Sequence, residues 1–193
     1  MEDSKVSGAV RVKMFDGTAR KVDRLELRGV LDELRRLVGR CGPLNRGITC
    51  ADPGKMIRES VQAGLLTAGW GKDRVGRGYW KKSLAIDAVE VSVGTRVQLN
   101  GRNGLNVRDA MTVEVVGLAH KIASGAIDVG ALVVAGDRLA MRLGRRVPSF
   151  SDTIEAVERC GMTDLPLIIL ALEHDGPGPP LPKRRTRQGK AVT

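Results

Sequence analysis

An aspartate and a short polar triplet are the residues of this sequence best suited to chemistry. Asp87 and the triplet Arg96-Val97-Gln98 both lie in otherwise apolar, strand-like segments. Alternation along a strand puts Arg96 and Gln98 on one face, and a hairpin that turns at Gly94-Thr95 would bring that face near Asp87. A carboxylate there can hold Mg²⁺, which activates water and stabilises charge developing on a phosphodiester. The alternative interpretation is that Asp87 and Gln98 are ordinary polar residues of a half-exposed face.

The elements that would position these residues alternate between strand-like and helix-like patterns. Apolar residues recur at spacings of two, of three to four, or in short continuous runs. The predicted elements are a β-hairpin turning at Asp16-Gly17, helices over 22–38 and 53–69, strands over 83–93 and 96–100, a helix over 107–122, a strand over 128–134, a helix from a Ser151 or Asp152 cap to Cys160, and a strand over 165–172. This order predicts an α/β fold in which a mixed central β-sheet is flanked by helices.

Charge separates the chain into a body and a tail. The formal charge is +10, and half of that excess lies in residues 176–193, which carry five basic residues and no acid. We therefore expect a single domain over residues 1–175 and a basic tail without fixed structure of its own. A balance this basic favours a nucleic-acid partner, and Arg and Lys on such a tail can neutralise phosphates. The tail could instead serve only solubility.

Composition argues against several other classes of protein. Three cysteines without paired short spacing indicate reduced thiols and not a zinc site. No apolar run approaches the roughly 20 residues of a membrane span, and the polar first residues do not resemble a signal peptide. Neither the glycines of 69–78 nor Gly54-Lys55 has the context of a nucleotide-binding loop. We expect a cytoplasmic protein with no membrane partner.

Several segments between roughly residues 55 and 173 are similar to those of a known family. They are Leu65-Leu66-Thr67-Ala68-Gly69-Trp70, Ile86-Asp87-Ala88-Val89, Val97-Gln98, Asp109 in the long helix, Ala126-Ile127-Asp128-Val129-Gly130, and Leu165-Pro166-Leu167-Ile168-Ile169. In these segments the chain resembles Type II restriction endonucleases of the Bgl/BstY type, in the PD-(D/E)xK nuclease superfamily. This resemblance implies a restriction-endonuclease-like fold, Mg²⁺ as the cofactor, and double-stranded DNA bound by a homodimer.

The same resemblance assigns roles in a metal site. Asp87 would be the metal-binding aspartate, Val97 would lend its backbone carbonyl, and Gln98 would stand where the family keeps Gln or Lys. Arg96 departs from the pattern, because the family has Glu there and a guanidinium repels a cation. Glu90 could replace that acid in catalysis and Glu59 could replace it as a ligand; each is alternatively a solvated or salt-bridged carboxylate.

Basic residues supply the candidates for DNA contact. Loops or clusters of Arg and Lys can bind phosphates, although each cluster could equally be a solvated basic loop. The candidates are Arg74, Arg77, Arg96, Arg102, Arg145, Arg146 and Ser149 in the body, and Lys183, Arg184, Arg185 and Arg187 in the tail.

Three functions remain open on the sequence. The first is a Mg²⁺-dependent endodeoxyribonuclease of restriction type that hydrolyses double-stranded DNA. The second is a DNA-binding protein on the same scaffold without nuclease activity, which Arg96 favours. The third is a basic scaffold or RNA-binding protein without a metal site, although the signature motifs of common RNA modules are absent.

Overall fold

The computed structural model describes residues 10–15, 25–40, 53–72, 79–86, 89–99 and 104–173. Within these ranges the chain forms six strands and five helices. In chain order they are β1 (Val10–Met14), α1 (Leu25–Arg40), α2 (Pro53–Thr67), β2 (Gly71–Lys72), β3 (Tyr79–Ile86), β4 (Val89–Gln98), α3 (Val107–Ala123), β5 (Val129–Ala135), α4 (Asp137–Leu143), α5 (Phe150–Arg159) and β6 (Leu167–Leu172). None of these helices is long and apolar enough to cross a membrane.

The strands form one mixed sheet in the order β1-β6-β5-β4-β3-β2. Strands β4, β5 and β6 run parallel, whereas β1, β2 and β3 pair antiparallel to their neighbours. The parallel strands β5 and β6 are buried along their whole length, because helices cover both faces. The predicted α/β fold with a mixed sheet flanked by helices is therefore confirmed.

Alternate residues of the central strands feed two cores. On one face, Val129, Ala131 and Val133 of β5 pack with buried residues of α1, α2 and α4. On the other face, Leu132 and Val134 pack with α3 and α5. The sheet is thus the middle of three layers, and each side chain of β4 or β5 is assigned to a face by its position in the alternation.

A polar network fastens α1 and the end of α2 to the sheet. The Lys82 ammonium on β3 donates to both carboxylate oxygens of Glu33 on α1, at 2.9 and 2.8 Å, and to the carbonyl of Ala68. The indole N–H of Trp70, which is buried, donates to the same carboxylate at 3.0 Å. Each charge in this half-buried cluster is paired, so it fixes the helices without leaving an unsatisfied ion.

The turn between β3 and β4 lies earlier in the chain than the sequence indicates. The predicted strand 83–93 with a turn at Gly94-Thr95 is wrong, because Ile86 pairs with Val89 and Gly94 lies inside β4, opposite Lys81. A Cβ on Gly94 would lie 2.7 Å from Cδ1 of Ile127. Glycine stands there because the Ile127 side chain packs against the strand backbone, not because the chain reverses.

Replacing Gly94 with alanine should therefore destabilise the fold. The added methyl must displace Ile127, and such overpacking costs about 1 to 3 kcal/mol. Gly29 of α1 offers the control, since a Cβ there has no atom within 4 Å. Gly29→Ala should instead stabilise by about 0.4 to 1 kcal/mol through the lost flexibility of the unfolded chain. Urea unfolding of both variants tests this, and equal effects would contradict the tight contact.

Three smaller features also differ from the sequence prediction. The strand β1 exists, but its partner is β6, and the turn predicted at Asp16-Gly17 lies outside the described residues. The cap of α5 is Ser149 and not Ser151 or Asp152, because Asp152 supplies the other half of a capping box. Helix α4 was not predicted.

Candidate active site

The carboxyl ends of β4 and β5 meet at one edge of the sheet. Gln98, near the end of β4, pairs with Val134 of β5, and both strands end within a residue of this level. Val97 and Gln98 are buried, at 3 and 8 % exposure. In open sheets of this kind, ligands bind beyond the carboxyl ends of parallel strands. This edge is the first place to look for a site.

Arg96 and Glu114 form a bidentate ion pair beside Gln98. The guanidinium donates from Nε to Oε2 at 3.0 Å and from Nη2 to Oε1 at 3.2 Å. The Glu114 side chain is 4 % exposed and that of Arg96 is 20 % exposed. Alternation puts Arg96 on the face covered by α3, which carries Glu114 between the buried Met111 and Leu118. The fork of the arginine matches the carboxylate, so the two charges neutralise each other locally.

Tyr79 completes the cluster. It lies directly opposite Arg96 in the β3–β4 ladder, and the Arg96 guanidinium carbon is 5.2 Å from the centroid of its ring. The Lys121 ammonium is 5.0 Å from the same centroid. Gly117 of α3 leaves room for the ring, because a Cβ there would lie 3.0 Å from the tyrosine oxygen. Two cations thus contact one aromatic ring, which the negative ring face favours.

Sequence reasoning missed Glu114, and one signal for it was available. Glu114 is three residues after Met111 and four before Leu118, so it lies on the apolar stripe of the long helix. A carboxylate on a buried stripe is rare unless it is paired. That position predicts a buried basic partner, although it does not say which residue the partner is.

The predicted acid of β4, Glu90, does not lie at this edge. Asp87 lies outside the described residues, and its described neighbours Ile86 and Val89 pair at the far end of the ladder from Gln98. The nine steps from Val89 to Gln98 span about 30 Å of strand. Glu90 is exposed at that same far end. The expected proximity of Asp87 and Gln98 depended on a hairpin that turns at Gly94-Thr95. Because the chain does not turn there, the hairpin no longer supports that expectation.

Glu59 interacts with a residue of its own helix and not with Gln98. It is exposed on α2, at 58 % for its side chain, and pairs with Lys55 at 3.8 Å. This is the solvated, salt-bridged state that was its alternative interpretation, and such an exposed pair contributes little to stability.

The predicted DNA contacts are only partly within the described residues. Arg145 and Arg146 are exposed in the loop after α4. The Ser149 hydroxyl donates to the Asp152 carboxylate at 2.7 Å and accepts from the Asp152 backbone N–H at 3.2 Å. Ser149 therefore has a structural role as a helix cap. The remaining candidates lie outside the described residues: Arg74, Arg77, Arg102, Lys183, Arg184, Arg185 and Arg187.

The described residues around Gln98 do not fit a divalent cation. Mg²⁺ is bound by carboxylates and other oxygen donors, and the carboxylate present here, Glu114, is already neutralised by Arg96. Arg96 also places a fixed positive charge where the resembled pattern has Glu, and that charge repels a cation. Throughout the described ranges, no group of three or more His, Cys, Asp or Glu side chains could hold a metal.

Comparison with known proteins gives one family. The model of the restriction endonuclease BglII/BglIII family matches residues 33–172. A search of curated proteins found no match. The matched segment begins within α1 and ends with β6, and so includes the sheet from β2 to β6 and the edge described above. The chain belongs to the restriction endonuclease BglII/BglIII family.

Proposed function

We propose that the protein is a Type II endodeoxyribonuclease that hydrolyses phosphodiester bonds of double-stranded DNA with Mg²⁺. The observation that carries this proposal is the family match over residues 33–172, since restriction endonucleases act on DNA. The charge of +10 supports the same substrate, because a basic protein attracts the DNA backbone and releases its counterions on binding.

The metal-dependent part of the proposal rests on Asp87, because the described residues around Gln98 do not fit a divalent cation. Asp87 is the proposed metal ligand. The Val97 carbonyl and Gln98 lie at the other end of β4 from Val89, so they are not proposed to hold the same ion. Glu90 and Glu59 remain the proposed replacements for the missing acid. A cytoplasmic homodimer, with one subunit for each half of a symmetric DNA site, fits this function.

A second candidate is favoured by one specific observation. The Arg96 guanidinium is held by the buried Glu114 carboxylate at 3.0 and 3.2 Å, where the resembled metal site has an acid. On this alternative the chain keeps the DNA-binding scaffold of the family and does not cleave. Both candidates bind DNA and only the first cleaves it, so a single experiment separates them.

The experiment is cleavage of supercoiled plasmid with Mg²⁺ or Mn²⁺, with DNA binding measured in parallel. We expect the wild-type protein to produce cut plasmid. Asp87→Ala should lower the cleavage rate by at least about 100-fold, because the loss of a residue that only supports a metal ligand can already lower activity by about that factor. Asp164→Ala is the matched control, because it removes an exposed acid outside the proposed site. Binding by the wild type without cleavage under either metal would overturn the nuclease and leave the second candidate.

A further inference from the structure

A short basic crest follows β5. Between Asp137 and Asp152 the chain has four arginines and no acid. We use the name α4 crest for Arg138, Met141, Arg142, Arg145 and Arg146. Arg138, Arg145 and Arg146 are exposed, and the Met141 side chain is 77 % exposed, the most of any large hydrophobic residue in the described ranges. An isolated exposed methionine is unremarkable on a surface, but Met141 has arginines three positions before it and one position after it in the same helix.

Buried side chains and hydrogen bonds attach the helix of the crest to the rest of the domain. Leu139 and Ala140 of α4 are buried, at 0 and 5 % exposure, so the helix is packed on one side and open on the other. Asp137 accepts from the Ser151 backbone N–H and from Arg11, each at 3.0 Å. Burial opposes ionisation of Asp137, but hydrogen bonds from Ser151, Ser149 and Arg11 outweigh it and lower the pKa of its carboxyl. The ionised Asp137 carboxylate therefore holds the first turn of α4 in place through these hydrogen bonds.

Glycines lie at both ends of α4. A Cβ on Gly136 would lie 2.6 Å from a carboxylate oxygen of Glu173, so the chain passes close to that side chain as it leaves β5. Gly144 has a φ of 128° and ends the helix, with its N–H donating to the Ala140 carbonyl. Few residues other than glycine adopt that backbone conformation. Arg138 and Met141 are thus presented from a short helix with defined ends, and Arg145 and Arg146 from the loop that follows it.

The crest lies at the same edge of the sheet as Gln98. Gln98 pairs with Val134, and α4 begins at Asp137, three residues later. Adjacent strands lie about 4.8 Å apart, so a DNA duplex that reached the carboxyl end of β4 would also meet the crest. The family match includes this segment but does not assign a role to any residue in it.

We propose that the α4 crest enters the major groove of duplex DNA, with Met141 against base edges and Arg138, Arg145 and Arg146 on the flanking phosphates. This rests on the proposed function for its substrate. A helix with its side chains is 10 to 12 Å wide, roughly the width of the major groove. Arginine is complementary in charge to phosphate, and an apolar side chain is complementary to the methyl group of thymine.

The base-reading part of the proposal is tested with Met141→Ala and a pool of random duplexes. We expect the affinity of the variant for the site selected by the wild type to fall about 5- to 100-fold, with unchanged affinity for a non-selected duplex. Met56→Ala is the matched control, because Met56 is a partly exposed methionine on α2. Met141 is so exposed that its loss should leave thermal unfolding unchanged, which excludes misfolding as the cause.

The phosphate-contact part is tested with salt dependence. For Arg138→Ala we expect the slope of log affinity against log salt to fall by about 0.9, as for one lost phosphate contact, with no change for Arg58→Ala on α2. The groove is tested with dimethyl sulfate, which modifies guanine N7 in the major groove and adenine N3 in the minor groove. We expect the bound wild type to protect guanine N7 in the selected site. Protection of adenine N3 alone would overturn the assignment to the major groove.

These outcomes separate the crest from the proposed function. Wild-type protein that binds no duplex DNA overturns both. Wild-type binding that neither Met141→Ala nor Arg138→Ala alters overturns the crest alone. Weaker, less selective binding by these variants supports the crest, whether or not the plasmid is cleaved.

Discussion

Replacing Arg96 with alanine is expected to lower the free energy of unfolding by about 3 to 5 kcal/mol, because it leaves a buried carboxylate without its cation. Glu114 is 4 % exposed and receives two hydrogen bonds from the guanidinium. A loss of this size is a large fraction of the 5 to 15 kcal/mol that holds a typical domain together. Urea unfolding at neutral pH measures it as a lower midpoint with an unchanged slope.

An exposed ion pair between two helices provides the control. Arg108 of α3 pairs with Glu155 of α5 at 3.1 Å, with side chains 67 and 55 % exposed. Arg108→Ala should cost at most about 1 kcal/mol, since both ions keep their water. The double variant Arg96→Met with Glu114→Leu should recover most of the loss, because it removes the unpaired charge as well. If Arg96→Ala and Arg108→Ala lower the free energy of unfolding equally, burial does not make the Arg96–Glu114 pair more important for stability than the exposed pair.

The apolar pattern predicted the central elements well. Strands β5 and β6 are short continuous apolar runs, and α1 and α3 carry apolar residues at helical spacing, so each pattern has one dominant interpretation. Gly94-Thr95 was interpreted as a turn, whereas a glycine can also mark a close approach within a strand. The choice between them depends on Ile127, which is 33 residues away and packs on Gly94 only in the folded chain. Local sequence could not show that contact.

The candidate site was harder to predict for a related reason. Arg96 could be recognised as a departure from the resembled pattern, but its partner Glu114 lies 18 residues away on another element. Periodicity identifies the face of a helix and not the side chain that it meets. Helix α4 was not predicted because only two of its seven residues, Leu139 and Ala140, are buried. Two apolar positions are too few to show helical periodicity.

The last prediction reverses the charge that separates this chain from the resembled metal site. Arg96→Glu would put two carboxylates where the 3.0 Å ion pair now lies. Without metal, the variant should be less stable than Arg96→Ala, because like charges repel in a partly buried position. With Mg²⁺ or Mn²⁺ at about 100 times the dissociation constant, it should regain about 2.7 kcal/mol. That gain corresponds to a rise of about 5 to 10 °C in Tm.

Thermal unfolding with MgCl₂, MnCl₂ and KCl of equal ionic strength provides the measurement, with wild type and Arg96→Gln as controls. Neither control gains a carboxylate at this position, so a response of their Tm beyond the effect of ionic strength reports the metal ion proposed at Asp87. The new site is reported by the additional rise in Tm of Arg96→Glu over these controls. If the wild type is stabilised as much as Arg96→Glu, a metal ion binds elsewhere in the chain. If Arg96→Glu does not respond, the two carboxylates do not converge on a cation. An additional metal response in Arg96→Glu would mean that one guanidinium and its buried partner keep the cation out of this edge of the sheet.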